Sequence, residues 1–76
     1  GFWVQLGAFR ERDGAQDFQQ RIAAEMDWLA PLLAVFSDAP LWRLQAGPYG
    51  SRAQAQAAAQ RLREQLQLVP AVVERR

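Results

Sequence analysis

Two short stretches of the chain alternate apolar and other residues with a period of two, and each leads into a longer stretch with helical spacing. Residues 2–9 put Val4, Leu6 and Ala8 on one face of a strand and Trp3, Gln5, Gly7 and Phe9 on the other. Asp13 is placed to cap a helix running to about Leu29, in which Ala15, Phe18, Ile22, Met26 and Leu29 fall on one face. Pro31 closes that helix, and Leu32–Phe36 reads as a short second strand. Ser37-Asp38-Ala39-Pro40 has the composition of a turn. In the third strand, Leu41–Ala46, Trp42, Leu44 and Ala46 share one face and Leu41, Arg43 and Gln45 the other. Gly47-Pro48 breaks this strand. Ser51, with Gln54 three residues on, is a capping box that opens a helix to about Leu66. That helix buries Ala55, Ala58, Ala59, Leu62 and Leu66, and Ala71–Glu74 is the last strand.

The two halves resemble each other. A shift that carries Gln5 onto Gln45 also carries Gly7 onto Gly47, Phe9 onto Tyr49, Gln20 onto Gln60 and Arg21 onto Arg61. Two βαβ halves in tandem predict one α+β domain over residues 1–76, with the βαββαβ ferredoxin-like (RNP-like) fold. Its four-stranded antiparallel sheet has strands one and three in the centre, both helices on one face and the other face open. Right-handed crossovers select this arrangement over its mirror image.

Half of the residues are hydrophobic, enough for a packed core in so short a chain. There is no cysteine and no histidine, so neither disulfides nor a His–Cys metal cluster enter, and no cofactor is expected. Net charge is +1, and the nine basic residues, all arginine, are scattered apart from the terminal Arg75–Arg76 pair. A nucleic-acid binder shows a strongly basic stripe instead. No apolar run approaches the ~18 residues of a membrane span, so no membrane insertion by this domain is expected. The chain starts inside an apolar strand, and it is expected to be a domain of a longer protein, with any targeting signal outside it.

By parity the open face receives Gln5 and Gln45 from the central strands, with Arg43, Trp3 and Leu41. Phe9 and Tyr49 mark the strand ends. Phe36 joins if the second strand turns Leu33 and Val35 inward. Amides, a guanidinium and a few apolar groups suit an uncharged polar polymer, since one Gln offers both a donor and an acceptor. The same pattern also describes the solvated side of an ordinary sheet. Catalysis finds little support. Asp13, Asp17, Glu25 and Asp27 lie on helical surfaces, Asp38 lies in a turn, and the usual general base and thiol nucleophile are missing. RNA-recognition domains share the topology but stack bases on paired aromatics of the central strands, and the third strand here offers Leu41, Arg43 and Gln45.

"WVQLGAF", then a helix, then "LWRLQAGPYGSRAQAQAAAQRLRE", resembles the SPOR (sporulation-related repeat) domain over nearly the whole chain. The most specific parts are the Val-Gln-x-Gly-x-Phe strand end and the Arg-x-x-x-Gly-Pro-aromatic-x-Ser link into the second helix. The resemblance implies a non-catalytic, monomeric binding module for denuded peptidoglycan glycan strands, those whose stem peptides amidases have removed. It also implies a periplasmic location at the division septum and a parent protein of the cell wall or division machinery, such as a lytic transglycosylase or an outer-membrane lipoprotein. Carried over residue by residue, the family's site implies Gln5 on the first strand and Arg43 on the third. The small residue before the strand-end aromatic is Ala8, where Ser is common, and that aromatic is Phe9. Leu41 stands where the family can have Trp, so a stacking contact there would pass to Trp3 or Phe36. Gln45 completes the expected glycan-binding set. A protein–protein module of the division machinery using the same face is the alternative, with an RNA-binding domain behind it.

Overall fold

The computed structural model describes residues 1–76. Its elements are β1 (Phe2–Phe9), α1 (Arg12–Glu25), a 3-10 turn (Ala30–Leu32), β2 (Leu33–Asp38), β3 (Leu41–Tyr49), α2 (Arg52–Leu66) and β4 (Ala71–Glu74). The strands form one antiparallel sheet in the order β2-β3-β1-β4, the expected α+β ferredoxin-like arrangement with β1 and β3 central. Both helices pack on one face. Val4, Leu6, Leu44 and Ala46 from the sheet meet Ile22, Met26 and Leu29, and Ala55, Ala58 and Leu62 of α2, in one core. The small residues Ala55 and Ala58 of α2 are buried against the sheet, with Ala59 packed beside them.

The helix starts follow local chemistry. Ser51 accepts from Gln54 N–H at 3.1 Å while the Gln54 side chain takes Gly50 N–H at 3.0 Å, so the capping box closes one residue early on its return arm. For α1 the cap is Glu11 rather than Asp13, with no side-chain capping bond. Asp13 lies in the first turn instead, where its charge favours the positive end of the helix dipole.

Three boundaries differ from the pattern. Helix α1 ends at Glu25, not near Leu29. Met26 and Leu29 are nonetheless buried, so the chain leaves the helix while keeping its apolar spacing. β2 extends from Leu33 to Asp38, so Ser37 and Asp38 belong to the hairpin's strand rather than its turn. β3 runs through Gly47-Pro48 to Tyr49. The β1–β3 register moves from Val4↔Ala46 to Phe2↔Tyr49, which leaves Gly47 and Pro48 opposite Trp3 alone. Inside that irregularity no ladder bond requires the N–H that proline lacks.

A second irregularity matters more. Gln5 pairs with Gln45, but the next pair is Gly7↔Leu44, so Leu6 and Gly7 share one partner. The bulge reverses the parity of the strand end. Ala8 comes opposite Arg43 and exposed, while Phe9 pairs with Trp42 and packs against Phe18 at 5.6 Å between ring centroids. The expectation that Ala8 faces the helices and Phe9 the open side is therefore inverted. Gly7 permits this, because a Cβ there would stand 3.0 Å from the Phe9 ring.

Tyr49 lies on the helix side, and its hydroxyl is buried without a hydrogen-bond partner. Burial pushes the phenol above its ordinary value of 10.0, with Arg61 opposing the shift. A raised folded-state pKa means that the unfolded phenol ionises first, so this contribution to stability holds below about pH 10 and is lost as pH rises through the folded value. Tyr49→Phe is expected to leave stability at pH 7 unchanged or to raise it by up to about 1 kcal/mol, since an unpaired buried hydroxyl is removed. It should also flatten the alkaline loss. Urea titrations at pH 7 and above pH ~10 check both, and a clear destabilisation at pH 7 would reveal a bound partner for the hydroxyl.

Candidate functional site

The uncovered face of the sheet carries a closed ring of polar side chains drawn from β1, β2, β3 and Arg75, the residue after β4. Gln5 and Gln45, related by the internal repeat, stand directly opposite each other on β1 and β3. Gln45 Nε2 donates to Gln5 Oε1 at 3.0 Å, and Arg43 Nη1 donates to the same oxygen at 3.4 Å. Arg75 Nε donates to Gln45 Oε1 at 2.7 Å. Asp38 joins the ends: its Oδ2 pairs with Arg43 Nε at 3.3 Å and with Arg75 Nη2.

The chemistry of arginine orients the whole ring. A guanidinium has only donors, so the two arginines require an amide oxygen from each glutamine they meet. Gln45 must turn its oxygen to Arg75 and so gives its NH₂ to Gln5. Gln5 turns its oxygen to both Gln45 and Arg43. What remains free toward solvent is the Gln5 NH₂, which makes no hydrogen bond within the molecule, the unused guanidinium N–H groups and, as a free acceptor, Asp38 Oδ1. The face is thus rich in donors and poor in acceptors, and it suits a ligand bearing carbonyl, ether or carboxylate oxygens.

Beside the ring lies an aromatic pair. Trp3 and Phe36 meet edge to face, with centroids 5.0 Å apart at 88°. Phe36 does join the open face, with Leu33 and Val35 packed toward the core. The Trp3 indole rests on Gly47, where a Cβ would stand 3.0 Å from the ring and from the Phe2 carbonyl oxygen. The two glycines of the repeat therefore do the same work on opposite faces: Gly7 seats Phe9 and Gly47 seats Trp3.

The structure brings Trp3, Gln5, Ala8, Leu41, Arg43 and Gln45 to this side of the sheet, with Leu41 at its hairpin end opposite Asp38. Gln45 is only 2% exposed and both ends of its amide are used internally, so it braces the ring. Phe9 is removed to the helix side. Sequence reasoning missed Asp38, assigned to a turn, and Arg75, taken as half of a terminal charge pair. Alternation along β4 was the available signal for Arg75: Val73 pairs with Trp3, and the residue two further on shares its face.

A four-stranded sheet with two helices behind it and a donor-lined polar face in front defines a small binding domain. The SPOR domain family profile matches residues 1–74, and the chain belongs to that family, whose members are peptidoglycan-binding domains rather than catalysts. Among curated proteins, the endolytic peptidoglycan transglycosylase RlpA of Salmonella typhi is 37% identical over 67 residues, covering 88% of this chain and 17% of that protein. RlpA of Escherichia coli K12 is 34% identical over the same length, covering 88% of this chain and 18% of that protein. The chain thus spans less than a fifth of these relatives. The crystal structure of the RlpA SPOR domain from Pseudomonas aeruginosa matches with a TM-score of 0.68 at 21% identity, over 99% of this chain and 100% of that one, a likeness of fold.

Proposed function

We propose that the chain binds peptidoglycan glycan strands that have lost their stem peptides, using the open sheet face and doing no chemistry on them. The observation that carries this reading is the donor-rich ring around Gln5 and Arg43 beside the Trp3–Phe36 pair. A denuded strand presents acceptors: N-acetyl carbonyls, bridging oxygens and the lactyl carboxylates freed by amidases. Gln5 NH₂ and Arg43 meet those oxygens, the latter through charge-assisted bonds. Trp3, Phe36 and Leu41 offer apolar surface to sugar faces, and Ala8 beside Arg43 leaves room for the strand to lie close. An attached stem peptide removes the carboxylate charge and adds bulk that must clear the sheet, which disfavours intact strands. Such strands are concentrated where amidases cut, so the domain targets its parent to the division septum in the periplasm. A parent of the RlpA kind would then bring its transglycosylase to that place.

Pull-down with purified components tests this. The chain alone should be retained on amidase-treated peptidoglycan and only weakly on untreated material, and Gln5→Ala should weaken retention by about three- to tenfold for the lost neutral hydrogen bonds. Retention should fall only modestly with salt, unlike that of a phosphate reader. Equal retention on both materials would overturn the selectivity, and an unaltered Gln5→Ala variant would overturn the face.

A further inference from the structure

The ring contains one cation more than the proposed function uses. Arg75 is not loosely placed. Its backbone N–H donates to the Gly1 carbonyl at 2.9 Å, which carries the β1–β4 ladder one pair past Phe2↔Glu74. Its guanidinium lies 3.8 Å over the Phe36 ring, and its Nε is taken by Gln45. The side chain is thus held on three sides, 26% exposed, with further N–H groups unused.

Asp38 is placed differently. It ends β2, its side chain is 38% exposed, and a single oxygen, Oδ2, serves both Arg43 and Arg75. Two guanidinium groups therefore converge on one point and share one carboxylate, which leaves one positive charge unmatched within the cluster. A depression of about 260 Å³ opens between Gln5, Asp38, Arg43, Gln45 and Arg75, with Glu74 at its rim making no ion pair. This volume suits a substituent of a sugar rather than a whole strand.

We propose that Arg75 is a second carboxylate-binding residue of the open face, and that Asp38 is an internal stand-in which the ligand's carboxylate displaces. The proposal rests on the glycan-binding reading above. In the free protein Asp38 keeps the two arginines converged and desolvated on one side. A sugar acid entering the depression offers both oxygens to the pair, while Asp38 turns out to solvent at little cost, since a half-exposed ion pair contributes little stability. Arginine suits this task because its planar fork can grip a carboxylate while its face stays stacked on Phe36. The preference is then for glycans whose carboxylates are free, because an amide carries no charge to exchange with Asp38.

Calorimetric titration of the full chain tests this with two probes: peptide-free glycan strands, and the same strands with their carboxylates converted to methylamides. The parent chain should bind the free-acid strands more tightly. Arg75→Ala should lower affinity for them about tenfold or more, and for the amidated strands less than about twofold. Asp38→Asn, close in shape, should raise affinity for the free-acid strands about threefold. Arg75→Gln serves with thermal melts to separate lost contact from lost folding, and it should show the same probe-dependent loss while melting like the parent. Equal losses on both probes, or none, overturn the role of Arg75. Weaker free-acid binding by Asp38→Asn overturns the displacement. Loss of binding in Arg43→Ala with full binding in Arg75→Ala overturns this inference alone, whereas no binding of either probe by the parent chain overturns it together with the glycan reading.

Discussion

Arg43→Ala is expected to weaken binding to peptide-free glycan strands by about ten- to a hundredfold, the equivalent of about 1.5–3 kcal/mol for lost charged hydrogen bonds. Two effects combine in this variant. The guanidinium no longer reaches the ligand, and Gln5 loses one of the two donors that hold its oxygen inward. With only Gln45 left to orient it, the Gln5 amide can rotate and its free NH₂ is no longer fixed toward the strand. Folding should hardly change, because the Arg43–Asp38 pair is partly exposed and Asp38 keeps Arg75 as a partner. Arg43→Lys should recover only part of the loss, since an ammonium cannot bond Gln5 and an acid with one planar fork. Titration of both variants, with thermal melts alongside, checks the prediction. Affinity unchanged in Arg43→Ala would move the binding site off this face.

Arg43 and Gln5 were legible before the fold was known because strand alternation assigns faces directly. The same alternation produced the correct core: Val4, Leu6, Leu44 and Ala46 against the apolar stripes of two helices. It failed at the end of β1, where the bulge at Leu6 and Gly7 exchanges Ala8 and Phe9 between faces. Gly7 inside the strand signals a close backbone approach or a bulge, and the register shift shows the bulge, but a lone glycine does not reveal that Phe9 turns to pack on Phe18. It failed again after Glu25, where Met26 and Leu29 imitate helical spacing while the backbone has already turned away. Burial constrains side chains, and more than one backbone path can deliver them. The polar ring was only half visible for a different reason. Gln5 and Gln45 are tied by the repeat, but Asp38 and Arg75 meet across 37 positions of sequence. Two unremarkable surface charges form a pair only when the folded sheet brings the end of β2 and the residue after β4 to one face.

Leu44→Ala should destabilise the domain by about 2–5 kcal/mol, the usual range for removing a buried leucine side chain from a core that cannot collapse around the gap. Leu44 is fully buried at the centre of β3, and Val4, Ala46 and Leu62, none of them exposed, belong to the same core. A chain of this length has a total stability of only about 4–11 kcal/mol, so the variant forfeits a large share and should sit near its unfolding transition at 37 °C. The residue also lies between Arg43 and Gln45, and its inward side chain is what turns those two outward. Core and site are thus one constraint in β3: whatever holds Leu44 in, holds the ring in register. Urea denaturation should show a lower midpoint with an unchanged slope, which indicates lost stability rather than a changed unfolded state. Binding measured well below the transition should remain within about twofold of the parent, because the molecules still folded keep the same register. A loss under about 1 kcal/mol would mean that the sheet and helices close over the cavity, and that the core is less tightly packed than its burial implies.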